Sequence, residues 1–322
     1  MSDNIRQAIE AALQAVSYPQ TPQGLYEPIR YVLDGGGKRL RPTLLLMAYE
    51  LYRPGDTGRA MPAAVGIEMY HNHTLLHDDL MDRADMRHGR PTVHKAWDDN
   101  TAILSGDTML IMAAEHVARA DSPHAAEAMR LFLRSAREIC EGQQHDVNFE
   151  RRADVSEQEY LEMIRLKTSV LLACSARLGA VLAGAPEADA EALYAFAEKI
   201  GLAFQLQDDY LDVYGDPAVF GKKNGGDILC GKKTYLLINA LRLADDATRR
   251  TLLALPAADM PDEEKIATAT AIYDRLGIPR LTLEAIDRHY AEARRQLDRV
   301  SLGPQRTAPL WHYAQSLLGR KK

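Results

Sequence analysis

The stretch Asp78-Asp79-Leu80-Met81-Asp82 closes an apolar run, and it is matched 130 residues later by Asp208-Asp209-Tyr210-Leu211-Asp212. In each, acids stand at positions 1, 2 and 5, so on a helix the first and last lie one turn apart on the same face. Three acids this close repel one another unless something positive sits between them. Two such clusters, each ending an apolar run, predict a shared site for hard cations. With no Cys nearby and no convergent His, oxygen ligation points to Mg²⁺ rather than zinc, and incomplete ligation leaves positions for a phosphorylated substrate. Divalent ions bridging the acids would let the cavity hold a diphosphate and stabilise the charge that grows on it as a leaving group.

Outward from these clusters the chain reads as helix after helix. Residues 59–81 and 187–212 are the two long helices that end in the acids, and residues 99–120, 124–150, 156–183, 262–276 and 280–300 are further candidates. Breaks fall at Gly35-Gly36-Gly37, Gly89 to Pro91, Asp121-Ser122-Pro123, Gly184-Ala185-Pro186 and Leu255-Pro256. No stretch alternates as a strand does, so the expected fold is all-α, a single helical domain over 1–322. Placing the first cluster at a helix C-terminus opposes the helix dipole, which increases its need for an external cation.

Composition narrows the class. With 46% hydrophobic residues, 26% charged residues and a formal net charge of -6, nothing favours nucleic-acid binding. Cys140, Cys174 and Cys230 form no CxxC pair, which fits a reducing, cytoplasmic setting. The N-terminus lacks the look of a signal peptide, and no transmembrane segment is expected.

Basic residues supply the second requirement, seats for anions. In GGGKRLRP, residues 35–42, three glycines precede a helix, and Lys38, Arg39 and Arg41 bring positive charge; the spacing is not that of a Walker motif. Arg87 and His88 follow the first cluster, and Lys222, Lys223, Lys232 and Lys233 flank Gly225-Gly226-Asp227. A lone Lys or Arg is usually solvent-facing, but this glycine-rich context favours closure over a phosphate. His71, His73 and His77 invite a zinc site, yet His71 and His73 stand about 200° apart round a helix, which does not converge on one tetrahedral point.

These motifs together resemble the trans-isoprenyl diphosphate synthases of the polyprenyl synthetase family over essentially the whole chain. The residues that carry the likeness are GGGKRLRP, DDLMD at 78 with Arg87 and GRPTVH following, Lys167-Thr168, FQLQDDYLD at 204, GKKNGGD at 221 and GKKT at 231. The resemblance implies a bundle of long helices around a deep central cavity, assembled as a homodimer. It implies that Asp78, Asp82, Asp208 and Asp212, within clusters that include Asp79 and Asp209, bind three Mg²⁺ ions and an allylic diphosphate. Lys38, Arg41 and His71 match an isopentenyl diphosphate site, and Arg87, Lys167, Thr168, Gln205, Lys222 and Lys232 match diphosphate contacts. The implied reaction is ionisation of the allylic substrate, attack by the isopentenyl double bond and loss of a proton to the released diphosphate.

His88 departs from the pattern, since the family usually has a second arginine there that contacts isopentenyl diphosphate. For product length, His73 and Tyr70, roughly 8 and 12 Å down the helix from Asp78, with Thr74 beside them, form the expected floor. By family analogy a large residue at His73 favours a C15 or C20 product; farnesyl diphosphate is the expected one, with geranylgeranyl or a longer diphosphate as the alternative. A terpene cyclase would lack the second Asp cluster, and a noncatalytic regulatory subunit would be expected to lose a cluster. A helical scaffold would expose one of them.

Overall fold

The helix that carries the first acidic cluster, α4 (Met61–Met81), is enclosed on all sides. Its buried residues include Val65, Ile67, Met69, Tyr70 and Leu76, and with them the polar Glu68, Asn72, His73 and Asp79. A helix apolar round its circumference must be surrounded by others, and here the closest neighbour is α6 (Asp99–Ala118), whose N-terminus is capped by Asp98 accepting from the Thr101 amide. Gly66 permits this approach, because a Cβ there would lie 2.6 Å from the Ala113 carbonyl oxygen.

The protein is seen in a computed structural model that describes residues 2–216 and 224–318. Lys222 and Lys223 lie outside the described residues. The chain divides into two compact units. The first comprises Met1–Ser135, Cys174–Tyr194 and Val300–Leu310. It contains α1 (Ser2–Gln14), α2 (Gln23–Leu33), α3 (Leu40–Glu50), α4, the short α5 (Val93–Ala96) and α6. Asp189 ties its distant segments by accepting from the Tyr52 hydroxyl and the Ser301 amide and hydroxyl.

The second unit comprises Ala136–Ala173, Ala195–Arg299 and Trp311–Lys322. It takes the later part of α7 (Ala125–Phe149), then α8 (Glu157–Ile164) and the start of α9 (Val170–Ala183), and most of α10 (Glu187–Tyr214), the helix of the second cluster. A capping box starts α8, with Ser156 and Glu159 each satisfying the other's backbone amide. One apolar core joins Tyr160, Leu202, Leu206, Tyr235 and Ile238; a second joins Leu236, Leu241, Ile272, Tyr273 and Ile278.

The all-α expectation holds, with two local corrections. Residues 156–183 are not one regular helix, because Arg165–Ser169 form a π-helical turn between α8 and α9. Strand pairing does occur: Met86–Arg87 and Arg90–Pro91 make a two-residue hairpin. Its turn residues His88 and Gly89 have φ of 50° and 76°, and φ above zero at both central positions is what a tight hairpin of this hand requires. The stretch Glu157–Ala183 is also long and apolar enough to cross a membrane, which narrows the sequence expectation, but 83% of its apolar window is buried inside the protein, as in a core helix.

Candidate active site

Adjacent acids in each cluster have different fates. Asp79 is 5% exposed and is gripped by Arg87, whose Nε lies 2.8 Å from both carboxylate oxygens and whose Nη2 lies 2.7 Å from Oδ1. Asp78 is half-buried and Asp82 exposed. Successive helix residues turn by about 100°, so turning the second acid inward leaves the first and last on another face. Burial works against the Arg87 charge, but the bonds to Asp79 and the charges of Asp78 and Asp82 outweigh it and raise its pKa.

A basic group gathers over α4 in the same unit. Arg41 Nη1 donates to His71 Nε2 at 3.0 Å, and since arginine only donates, His71 carries its proton on Nδ1 and is neutral. Burial holds its pKa well below the usual imidazole range, aided by Arg41, Arg87, Arg39 and His88. Those causes also place His88, which is exposed on its hairpin turn, near enough to His71 to act on it. The hairpin is anchored by Arg90, which lies 3.7 Å above the Tyr31 ring, while Tyr31 OH donates to Pro91 O. Lys38 is exposed at the start of the GGGKRLRP helix, whereas Arg39 is buried.

The three histidines do not converge. His73 Nδ1 donates to Gly106 O at 2.9 Å and His77 Nε2 to Ile103 O at 3.3 Å, while His71 serves Arg41. Phe132, Tyr70, His73 and His77 form a ladder with successive ring centroids 5.3, 5.4 and 4.6 Å apart. Burial, then His77, lowers His73 to about 4, so it is neutral. Thr74 is half-buried and returns its hydroxyl to the His71 carbonyl.

The second unit repeats the pattern of the first cluster with different partners. Asp209 is 4% exposed and accepts from Tyr160 OH, from the Tyr235 amide at 3.0 Å and from Gln205 Nε2 at 3.2 Å. Asp208 and Asp212 are half-buried. Asp212 Oδ2 accepts the Asp227 amide at 3.1 Å, and its carbonyl accepts from Gly225, so the glycine-rich segment folds back onto the end of α10. Thr168 donates to Gln205 Oε1 at 3.1 Å, and Lys167 pairs with Asp146 at 2.6 Å. Both come from the π-helical turn, an element frequent at functional sites. The turn is flanked by two glycines: a Cβ on Gly142 would lie 2.4 Å from the Lys167 amide nitrogen, and one on Gly201 2.7 Å from Ser169 Cα. Lys232 is exposed, its amide bonded to Asp227 O.

Comparison with known proteins gives the family. The profile of the polyprenyl synthetase family matches residues 22–273. The chain belongs to the polyprenyl synthetase family. Among its relatives, the geranylgeranyl diphosphate synthase of Methanosarcina mazei is 44% identical over 235 residues, covering 72% of each chain. The (2E,6E)-farnesyl diphosphate synthase of Mycobacterium bovis is 37% identical over 295 residues, 91% of this chain and 82% of that one. A crystal structure of a geranylgeranyl pyrophosphate synthase superposes with a TM-score of 0.94 at 44% identity, covering 100% and 99% of the two chains.

As a polyprenyl synthetase the protein is a prenyltransferase of the short-chain trans-isoprenyl diphosphate synthase type, and its reaction is head-to-tail isoprenyl diphosphate condensation. Family membership implies Mg²⁺ dependence in general. Among the described residues no group of three or more His, Cys, Asp or Glu side chains stands ready to enclose a metal ion. Mg²⁺ takes one or two carboxylates together with water and substrate phosphate rather than an all-protein cage. Asp78 with Asp82, and Asp208 with Asp212, are such pairs of hard oxygen donors.

Several residues around the two clusters escaped the sequence reading. Asp146, Tyr160, Glu10 and Glu68 carry no local motif, and each gains its role from a partner distant in sequence. Asp227, marked in the sequence by its place after Gly225-Gly226, gives its amide to Asp212.

Proposed function

We propose that the enzyme adds isopentenyl diphosphate to allylic diphosphates and carries the product to geranylgeranyl diphosphate, releasing diphosphate at each addition. The observation that carries this product is the likeness, in sequence and over the whole fold, to proteins named for geranylgeranyl diphosphate. It takes the place of the farnesyl product expected from the sequence. Farnesyl diphosphate stands as the second reading, supported by the buried His73 one turn above Tyr70 on α4.

In this reading Asp78, Asp82, Asp208 and Asp212 hold Mg²⁺, three ions per site by the family pattern. When bound, the ions supply the positive charge that turns the allylic diphosphate into a leaving group. Arg87, held by Asp79, and Lys167, held by Asp146, present donors to that diphosphate, beside Thr168, Gln205, Lys222 and Lys232. Lys38, Arg41, His71 and His88 seat isopentenyl diphosphate, with neutral His71 orienting the Arg41 guanidinium rather than adding charge. Breaking the allylic C–O bond leaves a carbocation, the isopentenyl double bond attacks it, and the proton lost goes to the released diphosphate. Asp79 and Asp209 act through Arg87 and Gln205. The enzyme works as a homodimer.

The test is incubation of the purified protein with Mg²⁺, isopentenyl diphosphate and dimethylallyl, geranyl or farnesyl diphosphate, followed by chromatography of the products. Geranylgeranyl diphosphate is expected as the end product from all three. Farnesyl diphosphate that accumulates unconsumed would favour the second reading, and no elongation from any allylic partner would sink both.

A further inference from the structure

We infer that Arg39 is a positioning residue, whose buried guanidinium, clamped between Glu10 of α1 and Glu68 of α4, sets the seat for isopentenyl diphosphate. The inference rests on the function proposed above.

The sequence suggests that Arg39 shares in attracting an anion, as its neighbours do. The structure removes it from that duty. Its side chain is 1% exposed, Nε donates to Glu10 Oε1 at 2.8 Å, Nη1 to Glu68 Oε1 at 2.8 Å, and Nη2 to the Leu33 carbonyl at 2.8 Å. Two carboxylates more than balance one guanidinium, so no net attraction for a phosphate remains at this residue. Glu68 is itself fixed, since Asn72 donates to its Oε1 at 3.2 Å.

The same bonds hold an unusual backbone. Arg39 has φ 49° and ψ 40°, a left-handed conformation in which side chains other than glycine are uncommon, and it follows Gly36 and Gly37 at φ 78° and 146°. Residues 39 and 41 then lean on one face of α4, for Glu68 and His71 are three residues apart on that helix. Arg39 reaches Glu68 and Arg41 reaches His71, so a shift at the buried pair is passed through two peptide units to the Arg41 guanidinium. The N-terminal helix α1 enters the arrangement through Glu10.

The test uses Glu10→Gln, which keeps the shape and removes the charge, and Arg39→Gly, whose backbone adopts this φ without strain. Steady-state KM is measured separately for isopentenyl and allylic diphosphates. Hydrogen bonds to charged groups are strong enough that weakening this clamp is expected to raise the isopentenyl KM about tenfold in Glu10→Gln, and more in Arg39→Gly. The allylic KM and kcat at saturation should stay within about twofold. A merely structural role would move both KM values together, and either that result or an unmoved isopentenyl KM overturns the inference. Should the parent protein fail to elongate any substrate, the proposed function falls while this inference is still tested by calorimetry. Inorganic diphosphate is titrated in EDTA, where the acidic clusters repel it. Binding about tenfold weaker in Glu10→Gln supports the clamp, and equal binding overturns it.

Discussion

Replacing Tyr160 by Phe removes one hydroxyl from the core of the second unit and one of three donors from Asp209, the others being the Tyr235 amide and Gln205. Burial, assisted by the Asp227 carboxylate, pushes the Asp209 carboxyl up to about 7 against the pull of those donors. The folded metal-free protein therefore keeps a proton that the unfolded chain has already lost above the ordinary value of 3.8. The resulting stabilisation is complete below that value and is lost as pH rises through about 7. From 3.8 to about 7 it amounts to roughly 4 kcal/mol. The Tyr160 bond offsets part of that loss, since a bond to an ionised acceptor contributes ~1.5–3 kcal/mol and one to a neutral acceptor about 1. Tyr160→Phe is accordingly expected to destabilise by about 1 kcal/mol at pH 5 and by about 2–3 kcal/mol at pH 8.5. Urea unfolding followed by far-UV circular dichroism in EDTA measures both. An equal penalty at the two pH values, or a larger one at pH 5, would refute the reasoning. In an Asp209→Asn background the dependence on pH should vanish.

Gly142→Ala would normally strengthen a helix by up to ~1 kcal/mol, but here the new methyl meets the π-helical turn; a net loss of about 1–3 kcal/mol is expected by thermal denaturation, with a fall in kcat through Lys167 and Thr168. His73→Ala should lengthen the end product by at least one isoprene unit in the chromatographic assay; an unchanged product would remove His73 from the floor. His88→Arg should lower the KM for isopentenyl diphosphate and leave the allylic KM nearly unmoved. Since His88 is exposed and arginine already holds a positive φ at Arg39 and Arg83, stability should change by less than about 0.5 kcal/mol.

How much of this was legible beforehand follows the range of the forces involved. The acids at positions 1 and 5 of each cluster share a face because helix geometry alone puts residues four apart together, and α4 and α10 were readable from apolar spacing. The Ser156 and Glu159 capping box was likewise open to a local reading, for both partners lie within one turn. The hairpin at His88-Gly89 was not, since two-residue strands have no alternation to detect.

The inner roles of Asp79, Asp209 and Arg39 required the tertiary structure. Asp78 and Asp79 are the same residue type side by side, and sequence spacing cannot say which is turned inward. That is decided by Arg87 eight residues on, and for Asp209 by Tyr160 on another helix. Lys38, Arg39 and Arg41 likewise present the same charge in sequence, yet Glu10 and Glu68 draw only Arg39 inside. The sequence by itself determined an all-helical chain with two acidic faces and a family of reactions. Which charges are held inside was decided by packing, because burying a charge is tolerated only where a distant partner is brought within bonding distance.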